Sequence, residues 1–192
     1  MSKLEKLNNL YNEYTKAFGD REIVLGDGNV DSDILLIGEA PGKDEVIKKK
    51  PFVGAAGKNL SEFLHILNID RRNIYITNVI KYRLSKVNPK TGRVSNRPPA
   101  NKDIEENREY LLKEISIINP KIIVSLGNVP LRAVLSDMNV KIGDFHGNIK
   151  EVIIGESKYN LFPLYHPASI IYNRKLKDIY YKDLEKLKNI LQ

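Results

Sequence analysis

Four short stretches of the chain hold residue types that can do chemistry. Gly38-Glu39-Ala40-Pro41-Gly42-Lys43 sets a carboxylate among small, turn-forming residues. It has some look of a phosphate-binding loop, but the second glycine comes too early and no Ser or Thr follows the lysine; strand-to-loop punctuation accounts for the turn equally well. Pro51-Phe52-Val53-Gly54-Ala55-Ala56-Gly57 puts one large aromatic among small residues, where a backbone can approach closely and a ring can face a ligand. Taken alone, Phe52 reads as an ordinary core residue. Thr77-Asn78-Val79-Ile80-Lys81 carries an amide that both donates and accepts, which suits the edge of a pyrimidine or, just as commonly, the capping of a loop. Tyr165-His166-Pro167-Ala168-Ser169 sets a histidine before a proline that can open a helix. The chain has three histidines, His65, His146 and His166, with no metal-ligand spacing among them.

Each stretch adjoins the end of an element that must position it. Apolar runs at 33–37, 74–77, 121–126 and 160–164 predict strands buried on both faces. Helical spacing recurs at 58–67, 102–118, 129–135 and 177–191, with Asn101 a candidate N-cap and Leu4, Leu7 and Leu10 marking a further helix at the start. Strand and helix alternate, so the expectation is an α/β fold, a three-layer α/β/α sandwich around a mainly parallel four-stranded sheet, in one domain over residues 1–192. In such sheets ligands sit beyond the carboxyl ends of the strands. The loops there are 38–57, 78–101, 127–128 and 166–169; the second is too long for a mere connector and holds four basic residues between Ser85 and Pro99.

Composition narrows the chemistry. The 192 residues, 42% hydrophobic, can build a sizeable core, and 31 basic against 24 acidic residues leave a net charge of +7 that favours phosphate-rich partners. There is no cysteine, which excludes disulfides, thiolate catalysis and cysteine-held zinc or iron–sulfur centres. The charged amino end and the lack of any apolar stretch of bilayer length set the expectation of a cytoplasmic protein, taken here as a monomer.

Read together and in order, the four pieces resemble the uracil-DNA glycosylase superfamily, most closely its family four, the iron–sulfur type. The matching stretches are Gly38 to Gly42, Pro51 to Gly57, Tyr75 to Lys81, Asn96-Arg97-Pro98-Pro99, Pro120 to Gly127 and His166-Pro167-Ala168. The resemblance implies an enzyme that flips uracil or another deaminated base out of single- or double-stranded DNA and hydrolyses its glycosidic bond, leaving an abasic site. It implies that Phe52 stacks on the base, Asn78 reads its edge and His166 faces the base oxygen on which charge accumulates. Glu39, with the backbone of Gly38 and Ala40, falls in the segment that positions the water, and Gly42 stands where some relatives carry a bulky side chain that excludes thymine. Lys81, Arg83, Arg97, Ser169, Ile170, Ile171 and Arg174 are the expected DNA contacts, with Ile170 and Ile171 as an apolar wedge or, equally, core residues.

The sequence also departs from the family. The four cysteines that hold its four-iron cluster are missing: the third position is Tyr82, the fourth lies near Asn107, and the first two fall within 12–15. No cofactor is therefore expected, and apolar packing through Leu10, Tyr11, Tyr14, Tyr82 and Tyr110 is expected to fasten the amino-terminal helix and the long loop instead. Two other readings remain: a non-catalytic binding module with the same pocket, and a small-molecule nucleotide enzyme on an α/β scaffold.

Overall fold

The structure, a computed structural model, describes the backbone of all 192 residues and every side chain except those of Ala55, Ile171, Tyr172 and Arg174. The chain opens with helix α1 (Lys3–Phe18), capped by Ser2, whose hydroxyl accepts the Glu5 N–H. Strand β1 (Asp27–Gly28) and strand β2 (Ile34–Gly38) lead to the short helix α2 (Lys43–Lys48) and then to α3 (Ala55–Leu67). Strand β3 (Tyr75–Asn78) is followed by a hairpin of β4 (Ser85–Val87) and β5 (Val94–Asn96), helix α4 (Asn101–Ile118), strand β6 (Ile122–Leu126) and helix α5 (Asn128–Leu135). Strands β7 (Lys150–Ile154) and β8 (Ser157–Leu164) then precede α6 (Ser169–Tyr172) and α7 (Arg174–Leu191).

The main sheet has the order β1-β3-β2-β6-β8-β7. Its centre, β3, β2, β6 and β8, is parallel throughout, and these are the four strands that the apolar runs predict. The four-stranded sheet is nevertheless a correction: six strands form it, because antiparallel β1 and β7 close its two edges, and β4 and β5 make a separate two-stranded sheet. The extra strands escape an apolar-run criterion because β1 is only two residues long and β7 is buried on one side only, Val152 and Ile154 inward with Glu151 and Ile153 outward.

Period-two alternation divides the sheet's side chains between two cores. Leu35, Ile37, Tyr75, Ile123 and Leu161 pack with residues of α1, α4 and α5, while Leu36, Ile74, Ile76, Val124, Phe162 and Leu164 pack with α3 and α7. Helices therefore flank the mixed sheet on both faces. Of the stripe predicted for α4, Ile104, Leu111, Ile115 and Ile118 are buried and Leu112 is half-buried. Its N-cap is Ala100 rather than Asn101, because the Asp103 carboxylate reaches back to accept the Ala100 N–H at 2.7 Å and supplies the cap itself. Asn68 and Asn119, in left-handed conformation, end α3 and α4.

The positions that would carry cluster ligands in the resembling family meet in space. The Tyr14 hydroxyl donates to Asn107 Oδ1 and accepts the Lys81 N–H at 3.0 Å, and Asn107 Nδ2 donates to the Tyr82 hydroxyl at 3.2 Å. Phe18 and Tyr110 pack on the Tyr14 ring with centroids 4.7 and 5.0 Å away, and the Arg21 guanidinium lies 4.2 Å over Tyr82. Phenols and a carboxamide already bonded to one another cannot hold an iron–sulfur cluster. Leu10, Tyr11, Tyr14, Tyr82 and Tyr110 pack in one core as expected, with a polar centre that the expectation did not include.

Candidate active site

The site lies where the central strands end. Gly38 and Asn78 are register partners on β2 and β3, and the chain beyond them stays paired, with the Val79 N–H donating to Gly38 O at 3.0 Å and the Ile80 N–H to Glu39 O at 3.1 Å. A Cβ at Gly38 would overlap both Asn78 Oδ1 and the Phe52 ring, so glycine there is what lets amide and ring come together. His166 follows β8, whose end is held by the Gly127 N–H donating to Leu164 O at 2.7 Å.

Phe52 arrives from the loop between α2 and α3 in a conformation few side chains adopt, with φ 53°. Two groups hold it there. The Arg71 guanidinium donates to Phe52 O at 3.0 Å and to Pro51 O at 2.6 Å. Glu45, itself buried, accepts the N–H groups of Val53 at 3.0 Å and Gly54 at 2.7 Å with one oxygen, and that of Gly42 at 3.1 Å with the other. One carboxylate thus ties the Gly42 turn to the Phe52 loop. The Phe52 ring lies 26° from parallel to the His166 imidazole, with centroids 6.4 Å apart.

Beneath Asn78 is a fully buried polar network. Lys81 Nζ pairs with Glu114 at 2.6 Å and donates to Thr77 Oγ1 at 3.0 Å and Asn78 O at 2.9 Å. Glu114 also accepts from the Thr77 and Tyr11 hydroxyls. A buried ammonium bonded in this way fixes the β3 terminus and has no path to a phosphate, which corrects the expectation that Lys81 contacts DNA.

Glu39, Ala40, Gly42, Phe52, Asn78 and His166 line a single cavity of about 610 Å³, together with Lys43, Asp44, Glu45, Gly54, Ala56 and Asn96. Burial pushes the Glu39 carboxyl above its ordinary range and the His166 imidazole below its own. His166 Nδ1 accepts the Ala168 N–H at 3.1 Å, so the neutral ring carries its proton on Nε2 and offers a donor there. Three carboxylates against one lysine make this lining unsuited to a triphosphate, and it suits a neutral base. No group of His, Cys, Asp and Glu capable of holding a metal ion is present among the described residues.

The other expected positions do not all reach the cavity. Arg83 Nε donates to Asn96 Oδ1 at 3.0 Å, and Arg97 grips Asp103 with two bonds of 2.7 and 2.9 Å, so each is partly engaged within the fold. The Ser169 hydroxyl closes the His-Pro turn on His166 O at 2.7 Å, and Ile170 packs half-buried against the α3–α7 core. The side chains of Ile171 and Arg174 lie outside the described residues. His146 pairs with Asp183 at 2.7 Å and His65 sits on α3, so only His166 of the three histidines lines the cavity. Sequence reasoning missed Glu45, Arg71 and Asn96. The Gly42-x-x-Glu45 spacing, that of a capping box, was the available signal for Glu45; the other two act across gaps that no local pattern reveals.

The chain is thus an α/β domain with one cavity at its strand ends, lined by an aromatic ring, an amide, an imidazole and a carboxylate. A family model described as the uracil DNA glycosylase superfamily matches residues 25–189, and the chain belongs to that superfamily. It is 35% identical over 167 residues to a type-4 uracil-DNA glycosylase of Archaeoglobus fulgidus, covering 85% of this chain and 79% of the relative. A type-4 uracil-DNA glycosylase of Saccharolobus solfataricus is 36% identical over 180 residues (89% and 77%), and one of Sulfurisphaera tokodaii 37% over 181 (87% and 74%). No described helix is long and apolar enough to cross a membrane.

Proposed function

We propose that this protein is a DNA-repair glycosylase that extrudes uracil, or another deaminated base, from single- or double-stranded DNA and hydrolyses its N-glycosidic bond to leave an abasic site. The observation that carries the reading is the meeting of Phe52, Asn78, His166 and Glu39 on one cavity, although they lie far apart in sequence. The names of the type-4 relatives support it independently.

A base inside a duplex is out of reach, so it must leave the stack, and unpaired uracil is the easier substrate. Phe52 supplies the stacking surface and the Asn78 amide pairs with the pyrimidine edge, donating and accepting. As the bond between base nitrogen and sugar C1′ breaks, its electron pair moves onto the base while positive charge builds on the sugar. His166 donates a hydrogen bond from Nε2 to the base oxygen that gains charge, and the Glu39 carboxylate stabilises the sugar cation and orients the water that adds at C1′; the proton this water sheds passes to the Glu39 carboxylate and ends on the departing base anion, leaving a hydroxyl on C1′ and a neutral base. Both groups act more strongly on the transition state than on the ground state, which is what accelerates a reaction. Helix α6, with Ser169, Ile170 and Ile171, begins three residues after the histidine and Arg174 opens α7 just beyond it, and they are assigned to the DNA on that account.

The test is an oligonucleotide panel with uracil, hypoxanthine, xanthine and thymine in single strands and mismatches, run with wild type, Asn78→Asp and Asn78→Ala. Release of uracil that collapses in Asn78→Ala is expected. Tight binding with no release of any base from folded protein would leave a binding module in place of an enzyme.

A further inference from the structure

We propose that the β4–β5 hairpin is an arm that grips the DNA strand beside the cavity, using an apolar valine ridge and three uncommitted cations. This rests on the reading that the cavity accepts an extruded base. The hairpin forms its own sheet, bonded to no strand of the main one, and all six of its strand residues are exposed. It is a built element and not slack chain: Asn88 Oδ1 accepts the N–H groups of Lys90 at 2.9 Å and Thr91 at 3.2 Å, and the turn closes with the Gly92 N–H donating to Asn88 O at 2.9 Å.

Its register opposes Ser85 to Asn96, Lys86 to Ser95 and Val87 to Val94. Alternation then puts Ser85, Val87, Val94 and Asn96 on one face and Lys86 and Ser95 on the other. Asn96 lines the cavity, its Nδ2 3.5 Å from where a Cβ on Gly42 would stand. The face running outward from the cavity mouth therefore bears Val87, 62% exposed, and Val94, 49% exposed, directly opposite each other and part of neither core. This cross-strand valine pair is a small apolar contact surface left open beside the cavity.

Charge identifies that partner. From Tyr82 to Lys102 there is no acidic residue. Arg83 and Arg97 are engaged as described, but the side chains of Lys86, Lys90 and Arg93 make no ion pair or hydrogen bond among the described residues. Lys86 stands on the face opposite the valines and reaches past them around the hairpin's edge, while Lys90 and Arg93 flank its turn; an unopposed set of cations along that edge, continuous with the cavity, fits a nucleic-acid strand whose sugars and bases lie on the valines and whose phosphates run along the edge.

The experiment measures affinity for an oligonucleotide containing a tetrahydrofuran abasic site, which offers nothing to cleave, across a salt series. Wild type is compared with Lys86→Gln/Lys90→Gln/Arg93→Gln and with Val87→Thr/Val94→Thr. The cation variant is expected to lose about 2 from the slope of log affinity against log salt, at roughly 0.7 per single-strand phosphate contact. The valine variant should bind several-fold more weakly at every salt concentration with the wild-type slope. Thermal unfolding of both should match wild type, because the substituted residues belong to neither core. A wild-type slope in the cation variant, or wild-type affinity in the valine variant, overturns the proposal. Uracil release by the wild type is scored separately, so failure of the glycosylase reading is not confused with failure of the arm.

Discussion

His166 can serve as a donor because its other nitrogen is already occupied: the Ala168 N–H holds Nδ1 and leaves the proton on Nε2. His166→Ala should therefore slow single-turnover cleavage about 100- to 1,000-fold, the usual cost of removing one preorganised donor, and change DNA affinity little; unchanged cleavage would remove the residue from the mechanism. Glu39 makes a second prediction. Burial raises its folded pKa above the unfolded value, so as pH rises through the interval between the two, the unfolded state gives up its proton first and stability falls. Glu39→Gln should be more resistant to urea than wild type at pH 7, with the difference vanishing below the ordinary carboxylate pKa, and its slow residual cleavage should lack the acid limb that wild type shows above that pKa. A stability difference that persists in acid would contradict this. Asn78 and His166 stand out in the sequence because each is a distinctive residue type at the end of an apolar run, and Phe52 because it is a lone ring among small residues; all three line the cavity. Glu45 and Arg71 do not stand out, since their work is to bond the backbone of other segments.

At the level of elements, the buried Lys81–Glu114 pair is what fixes the end of β3. Lys81→Met leaves a carboxylate buried without its cation and should cost about 3–5 kcal/mol. Lys81→Met/Glu114→Leu should recover part of that loss in denaturant melts, whereas simple additivity of the two single variants would mean that the charges are not coupled. Lys81 also shows where motif reading misleads: a basic residue beside a substrate-reading asparagine suggests a phosphate contact, and only the packing of α4 against β3 reveals the glutamate that claims it. The four central strands were readable because burial on both faces leaves an uninterrupted apolar run. β7 alternates, β1 is two residues long, and the β4–β5 hairpin is wholly exposed, so none of them leaves that trace.

Across the whole molecule, α1, the segment after β3 and α4 are joined by Tyr14, Tyr82 and Asn107. Tyr14→Phe keeps the ring but strands the Lys81 N–H and the Asn107 amide oxygen, a loss of roughly 1–3 kcal/mol. It should lower the urea midpoint, while iron chelators should leave the wild-type midpoint unchanged; a chelator-sensitive midpoint would show that something other than this hydrogen-bonded knot holds the three segments. The sequence announced the vacancy through its missing cysteines, but not its filling, because three residues separated by up to 93 positions become neighbours only in the folded chain. A join made of phenols and a carboxamide contains no iron for dioxygen to oxidise. Its strength is therefore expected to be the same in air as under nitrogen.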